Sequence, residues 1–145
     1  MKHSAKGHAF TEIVIETFKL SGLLATEGDR ISAPLDLSSA RWKILGALER
    51  AETPLTVSQI ARNMGQSRQA VQNLVNIMAD AGFIEFHDNP NHKRAKLVVC
   101  SRLGKSVYES MEAIQIPWAN SCADDISEKD LNTTLKTLKK MSELF

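Results

Sequence analysis

The chain has 145 residues, the length of one domain, and its 43% hydrophobic and 24% charged residues exclude a disordered polymer. No apolar run approaches a membrane span, and the opening MKHSAKGHAF lacks the apolar segment of a signal peptide, so the expected location is the cytoplasm, with no membrane partner. A formal net charge of +1 argues, as an average, against a nucleic-acid partner, but the average conceals an uneven distribution.

Residues 1–7 are polar and are expected to fray. Over residues 8–24, Phe10, Ile13, Val14, Thr17, Phe18, Ser21 and Leu24 recur at spacings of three and four, which predicts an amphipathic helix. Gly28, Asp29 and Pro34 interrupt the pattern and predict a loop. Ser38 or Ser39 can cap a second helix whose Trp42, Ile44, Leu45, Ala47 and Leu48 are apolar, ending near Arg50 before Thr53 and Pro54.

Thr56 and Gln59 have the spacing of a capping box, and Ile60, Ala61 and Met64 give the helix they open one apolar face. Gly65 tolerates the positive φ that ends a helix. Ser67 can cap the next one, which places Val71, Leu74, Val75, Met78 and Ala81 on one side and Arg68, Gln69, Gln72, Asn73 and Asn76 on the other. A helix that reads DNA needs this division: one face is gripped by a core while the other offers donors and acceptors to base edges in the major groove. An ordinary helical hairpin with a solvated polar face shows the same division, so the two helices alone leave both readings open.

Gly82 closes that helix, and residues 83–87 and 95–100 read as two strands joined by the turn formers Asp88, Asn89, Pro90 and Asn91. His92, Lys93 and Arg94 give the hairpin a basic tip. Placed directly after a recognition helix, such a hairpin is a wing, able to insert a cation into the minor groove or lay it on phosphate. Ser101 then caps a long helix with Leu103, Val107, Met111 and Ile114 in a stripe, in which Pro117 predicts a kink. Ser127 and Asp130 open a last helix with Leu131, Leu135, Leu138 and Phe145 set against Lys129, Lys136, Lys139 and Lys140.

The expected fold class is therefore mainly α with a small β-hairpin, a winged helix-turn-helix with N- and C-terminal dimerisation helices in a single domain over 1–145. Its DNA-binding lobe spans 38–104, and the helical dimerisation region comprises 8–24 and 101–145. Charge follows this division. Between residues 55 and 105, Arg62, Arg68, Lys93, Arg94, Lys96, Arg102 and Lys105 face only Asp80, Glu85 and Asp88, while acidic residues are in excess over the remainder. The apolar stripes of the end helices call for burial, which a two-fold homodimer would supply while setting two recognition helices about 34 Å apart on a palindromic operator.

In their order, LTVSQIA from Leu55, SRQAVQNLVNIMADAGFI from Ser67, HKRA from His92 and CSRLG from Cys100 resemble the winged helix-turn-helix of the MarR family of bacterial transcriptional regulators. The resemblance reaches into the helical flanks. His92 stands where that family usually has Asp, which helps to hold the wing arginine, and Lys93 where it usually has Arg. The resemblance implies a repressor that dimerises through its terminal helices and is released by a small aromatic or phenolic effector, for which Trp42, His8, Met111 and Arg41 are candidate lining residues. The expected DNA contacts are Ser67, Arg68, Gln69, Gln72 and Asn73 on the helix, with His92, Lys93 and Arg94 on the wing.

Other chemistry finds less support. No nucleophile with a base, paired carboxylates or phosphate loop is present, so no enzyme and no cofactor is expected. His87, His92 and Asp88 do not have the spacing of a metal site. Cys100 and Cys122 match no sensor position of the family and read as buried structural thiols. The alternative function is a winged-helix protein-interaction module without DNA-binding activity.

Overall fold

A computed structural model describes residues 1–145. In chain order it contains α1 (Ala5–Ser32), a 3-10 turn (Ala33–Leu35), α2 (Ser39–Arg50), β1 (Leu55–Thr56), α3 (Val57–Met64), α4 (Arg68–Asp80), β2 (Ile84–His87), β3 (Leu97–Cys100), α5 (Arg102–Ala123) and α6 (Glu128–Ser142). The chain divides into two units, Met1–Met111 and Glu112–Phe145. No helix is long and apolar enough to cross a membrane.

In the first unit, α1 is longer at both ends than the sequence pattern implies. Ser4 caps it by accepting a hydrogen bond from the Gly7 amide at 3.0 Å, so helix replaces the frayed start. At the other end the expected loop at Gly28 and Asp29 is helical, because tertiary contacts overrule the breakers. A Cβ on Gly28 would sit 3.0 Å from Cβ and Oγ of Ser39, and glycine permits that approach. The Asp29 carboxylate accepts the Ser39 amide at 2.7 Å, so the end of α1 satisfies one of the open donors at the start of α2. Pro34 lies in the 3-10 turn that finally stops the helix. The fully buried Ser32 hydroxyl donates to the Gly28 carbonyl at 2.6 Å and lies 3.2 Å from the Leu37 carbonyl, sharing its one proton across the turn.

Ser38, not Ser39, is the N-cap of α2, and Ile44 and Leu45 on that helix are fully buried. The core around them contains Ile60, Val71, Val75, Met78, Val98 and Met111, all withdrawn from solvent. Ala81, expected on the inner face of α4, is instead its exposed C-cap, one residue past the last turn. The hairpin is part of a three-stranded antiparallel sheet ordered β1-β3-β2. Leu55 and Thr56 pair with Val98 and Leu97, and Ile84 to His87 pair with Cys100 to Leu97. Both hairpin strands are shorter than the residue pattern suggests, and β1 is too short to show any periodicity.

The two units share α5, which begins in the first and continues through Pro117 to Ala123 as one helix. Ser101 opens it: its hydroxyl accepts the Gly104 amide at 3.0 Å and donates to the Gly82 carbonyl at 2.5 Å. In the second unit Ser127 caps α6 through the Asp130 amide at 3.1 Å, and α6 has no buried residue.

The cysteines differ. Cys100 is buried at the end of β3, whereas Cys122 is exposed on α5 and is not the structural thiol expected of it. Burial pushes the Cys100 thiol up to about 12, a hydrogen bond and the charge of Glu49 push in the same direction, and Lys105 opposes them. Its thiolate is therefore absent at pH values below that range, and a thiol reagent at about pH 8 should modify one cysteine in the folded protein and both in denaturant. Rapid modification of two thiols in the native state would contradict the burial. A second test concerns Gly104, where a Cβ would collide with the Phe83 carbonyl oxygen and touch Leu45 at 3.5 Å. Gly104→Ala should lower unfolding free energy in urea by about 3 kcal/mol, the upper range of ordinary overpacking.

Candidate nucleic-acid interface

The interface is built from the two helices and the hairpin of the first unit. Thr56 and Gln59 form a full capping box: the Thr56 hydroxyl accepts the Gln59 amide at 3.3 Å, and the Gln59 side-chain oxygen accepts the Thr56 amide at 2.9 Å. This fixes the start of α3. Gly65 then turns the chain at φ +62°, in the left-handed region, where a residue without a Cβ carries no steric penalty. Ser67 accepts the Ala70 amide at 3.1 Å and starts α4.

With Val71, Val75 and Met78 in the core and Leu74 half-buried, α4 can rotate little about its own axis. Its outer face carries Arg68, Gln69, Asn73 and Asn76 exposed and Gln72 half-buried. Two amide ladders run along that face. The Gln69 side chain donates to the Asn73 oxygen at 3.0 Å, and Gln72 donates to Asn76 at 2.9 Å. Each pair leaves a glutamine oxygen and the asparagine NH2 unspent, so a helical row of acceptors and donors remains available.

The wing turns between β2 and β3. Asn89 accepts the Asn91 amide through its side chain at 3.0 Å and the His92 amide through its carbonyl at 3.2 Å. The Ala95 amide returns to His92, meeting its carbonyl at 3.3 Å and its ring Nδ1 at 3.1 Å. His87 pairs with Glu85 at 3.1 Å and Lys96 with Asp88 at 3.4 Å, so the histidines and Asp88 considered for a metal each have a separate partner. Lys93 and Arg94 are exposed at the tip.

Between α4 and the wing lies an open groove of about 550 Å³. Arg68, Gln72 and Asn76 line one wall, and His92, Arg94, Ala95 and Lys96 line the other. Thr56, Val57 and Ser58 close one side, with Phe86 contributing a ring. Three cationic side chains and no carboxylate line this groove, so it can hold an extended polyanion. Arg68, Gln72, His92 and Arg94 are brought together here as the sequence suggests, whereas Ser67, Gln69, Asn73 and Lys93 lie outside the groove. Asn76 and Lys96 join the set without having been singled out. Their signals were available: Asn76 is one turn beyond Gln72 on the same face, and Lys96 extends the basic run of the wing.

The residues considered for an effector do not gather at this groove. Met111 is fully buried, Trp42 and Arg41 are half-buried, and His8 is exposed.

A model of the MarR family matches residues 35–95, which cover α2 to the wing. The chain is 32% identical over 129 residues to an uncharacterized protein of Mycobacterium tuberculosis, covering 89% of each. It is 25% identical over 140 residues to the transcriptional activatory protein BadR of Rhodopseudomonas palustris, covering 94% of this chain and 80% of that one. Among solved structures, a mutant of the Escherichia coli regulator MarR complexed with operator DNA superposes with a TM-score of 0.72 at 21% identity, over 88% of this chain and 94% of that one, which shows the shared fold.

Proposed function

The chain belongs to the MarR family of transcriptional regulators, and from that premise we propose that it works as a homodimeric, sequence-specific DNA-binding repressor acting at a palindromic operator. The observation that carries this reading is the groove between α4 and the wing, lined by Arg68, Arg94 and Lys96 with no acidic residue. A recognition helix in the major groove and a wing in the neighbouring minor groove straddle one sugar-phosphate strand, and the groove between them is where that strand lies. Arg68, Gln69, Gln72 and Asn73 then meet bases or flanking phosphates. Ser67 and the first turn of α4 face the backbone, where the open amides of a helix start favour an anion. Lys93 and Arg94 enter the minor groove, with His92 beside them.

Dimerisation is supported by apolar side chains that the single chain leaves in water. Phe18 and Leu23 on α1 are 74% and 58% exposed, and Leu135 on α6 is 52% exposed. Side chains of this size are costly to leave in water at about 25 cal/mol per Å², and a second copy offers the matching surface. Two reading heads also compensate for the small charge excess of one. An effector, a small aromatic or phenolic acid by analogy with the family, would act by preferring one spacing of the two heads over another.

The decisive experiment is binding of the purified protein to the promoter region upstream of its own gene, with random competitor DNA, across a salt series. Selective binding by a species of twice the 16.1 kDa chain mass, with a steep salt slope, is the expected result. A folded dimer that binds no DNA at low salt would favour a protein-interaction module instead. Arg68→Ala should cost about 1 to 3 kcal/mol on the operator and less on random DNA, as expected of a base contact. Arg94→Ala should weaken operator binding several-fold and reduce the salt slope by about one. Equal losses on both DNAs would make Arg68 a phosphate contact, and an unchanged slope would remove Arg94 from the mechanism.

A further inference from the structure

We propose that His92 is the positioning residue of the wing, and that its imidazole holds the turn presenting Arg94 only while Nδ1 is unprotonated. The inference rests on the DNA-binding reading above and adds to it a residue role and a dependence on pH.

The turn closes on His92 from both sides. Its amide donates to the Asn89 carbonyl at 3.2 Å, and its Nδ1 accepts the Ala95 amide at 3.1 Å. Only Lys93 and Arg94 lie between His92 and Ala95, so this small ring of atoms is the segment that carries both tip cations. An Asn or Asp oxygen commonly closes such a turn; here a ring nitrogen does so. A nitrogen can accept an amide proton only through a free lone pair, which places the ring proton on Nε2.

Imidazole is the side chain that ordinarily changes charge between pH 5 and 8. A proton arriving at His92 would occupy the lone pair that Ala95 uses, leaving that amide only the longer contact to the His92 carbonyl at 3.3 Å. The charged groups that line the groove with His92 are Arg68 from α4 and Arg94 and Lys96 from the wing, and Lys93 follows it in the chain. The residues of β1 and α3 at the groove, Thr56, Val57 and Ser58, are uncharged, and Asp88 is paired with Lys96. Protonation therefore has two separable effects on DNA binding. The added charge attracts every sequence alike, whereas a turn held by its backbone bonds alone places Arg94 less firmly and lowers selectivity.

The test compares wild type, His92→Asn and His92→Ala on operator and random DNA at about pH 8 and about pH 6, which bracket the ordinary imidazole range, at constant ionic strength. An asparagine oxygen can accept the Ala95 amide without titrating. The wild-type ratio of operator to random affinity should fall several-fold at the lower pH, His92→Asn should keep the higher ratio at both, and His92→Ala should show the lower ratio at both. His92→Ala matching wild type at the higher pH, or His92→Asn keeping the wild-type pH dependence, would overturn the proposal. Imidazole 15N spectra of the free protein supply a readout that needs no DNA, with the His92 signals assigned by their absence in His92→Asn. The bond from the Ala95 amide to Nδ1 requires the Nε2–H tautomer, and an Nδ1–H tautomer would refute the turn. If wild type binds no DNA at either pH, the DNA reading fails, while the tautomer still decides the turn.

Discussion

The reading head depends on a knot of hydrogen bonds at Ser101. Four segments meet there: the end of α4 at Gly82, the start of β2, the end of β3 and the start of α5. The Ser101 hydroxyl donates to Gly82 and accepts from Gly104, and its own amide donates to the Phe83 carbonyl at 3.0 Å. Gly104 completes the joint by having no Cβ to hold that carbonyl away. A backbone group that loses its partner inside a protein costs about 1 to 3 kcal/mol, so the joint has few cheap alternatives. The orientation of the wing relative to α4 follows from it, because the hairpin departs from this point in both directions.

Around that joint the molecule separates packing from recognition. Inward-facing Val71, Val75 and Met78 fix where α4 points, and the capping groups Thr56, Gln59 and Ser67 fix where its neighbours begin. Val71, Val75 and Met78 need touch no ligand, whereas Thr56 also lines the groove and Ser67 stands at the proposed DNA face. The outer amides are ordered in advance by the Gln69–Asn73 and Gln72–Asn76 bonds, which hold four otherwise flexible side chains along the helix. Prior ordering of this kind lowers the entropy lost when a partner is met. The tip of the wing has no comparable framework beyond its turn, and Lys93 and Arg94 extend from it into solvent.

Much of this was legible in the residues because the signals were local. Capping at Thr56, Ser67, Ser101 and Ser127, the glycine turn at Gly65 and the inward stripe of α4 are each decided within a few positions. The larger departures arise where contacts distant in sequence decided the outcome. Gly28 and Asp29 look like helix breakers until Ser39 is placed against them. Strand β1 exists because β3 offers it an edge. Ala81 and the ends of both hairpin strands differ by a residue or two, where local pattern is weakest. At the site, the residue types were readable, but the groove joining Arg68 to Arg94 arises from the packing of two elements far apart in the chain. The role of His92 was the least accessible, since nothing in a sequence says which ring nitrogen will accept an amide.

The union of α1 with α2 has a mechanical side. With Asp29 bonded to the Ser39 amide and Gly28 pressed against Ser39, the two helices cannot swivel independently at their junction. At 28 residues, α1 is about 42 Å long, and its buried residues, Gly28, Ile31 and Ser32, all lie at the end that meets α2. A tilt of about 3° about that junction carries the far end of such a rod through about 2 Å, given that length. The exposed face around Phe18 lies midway along that rod, so a contact made there reaches the junction with α2 through a single continuous helix.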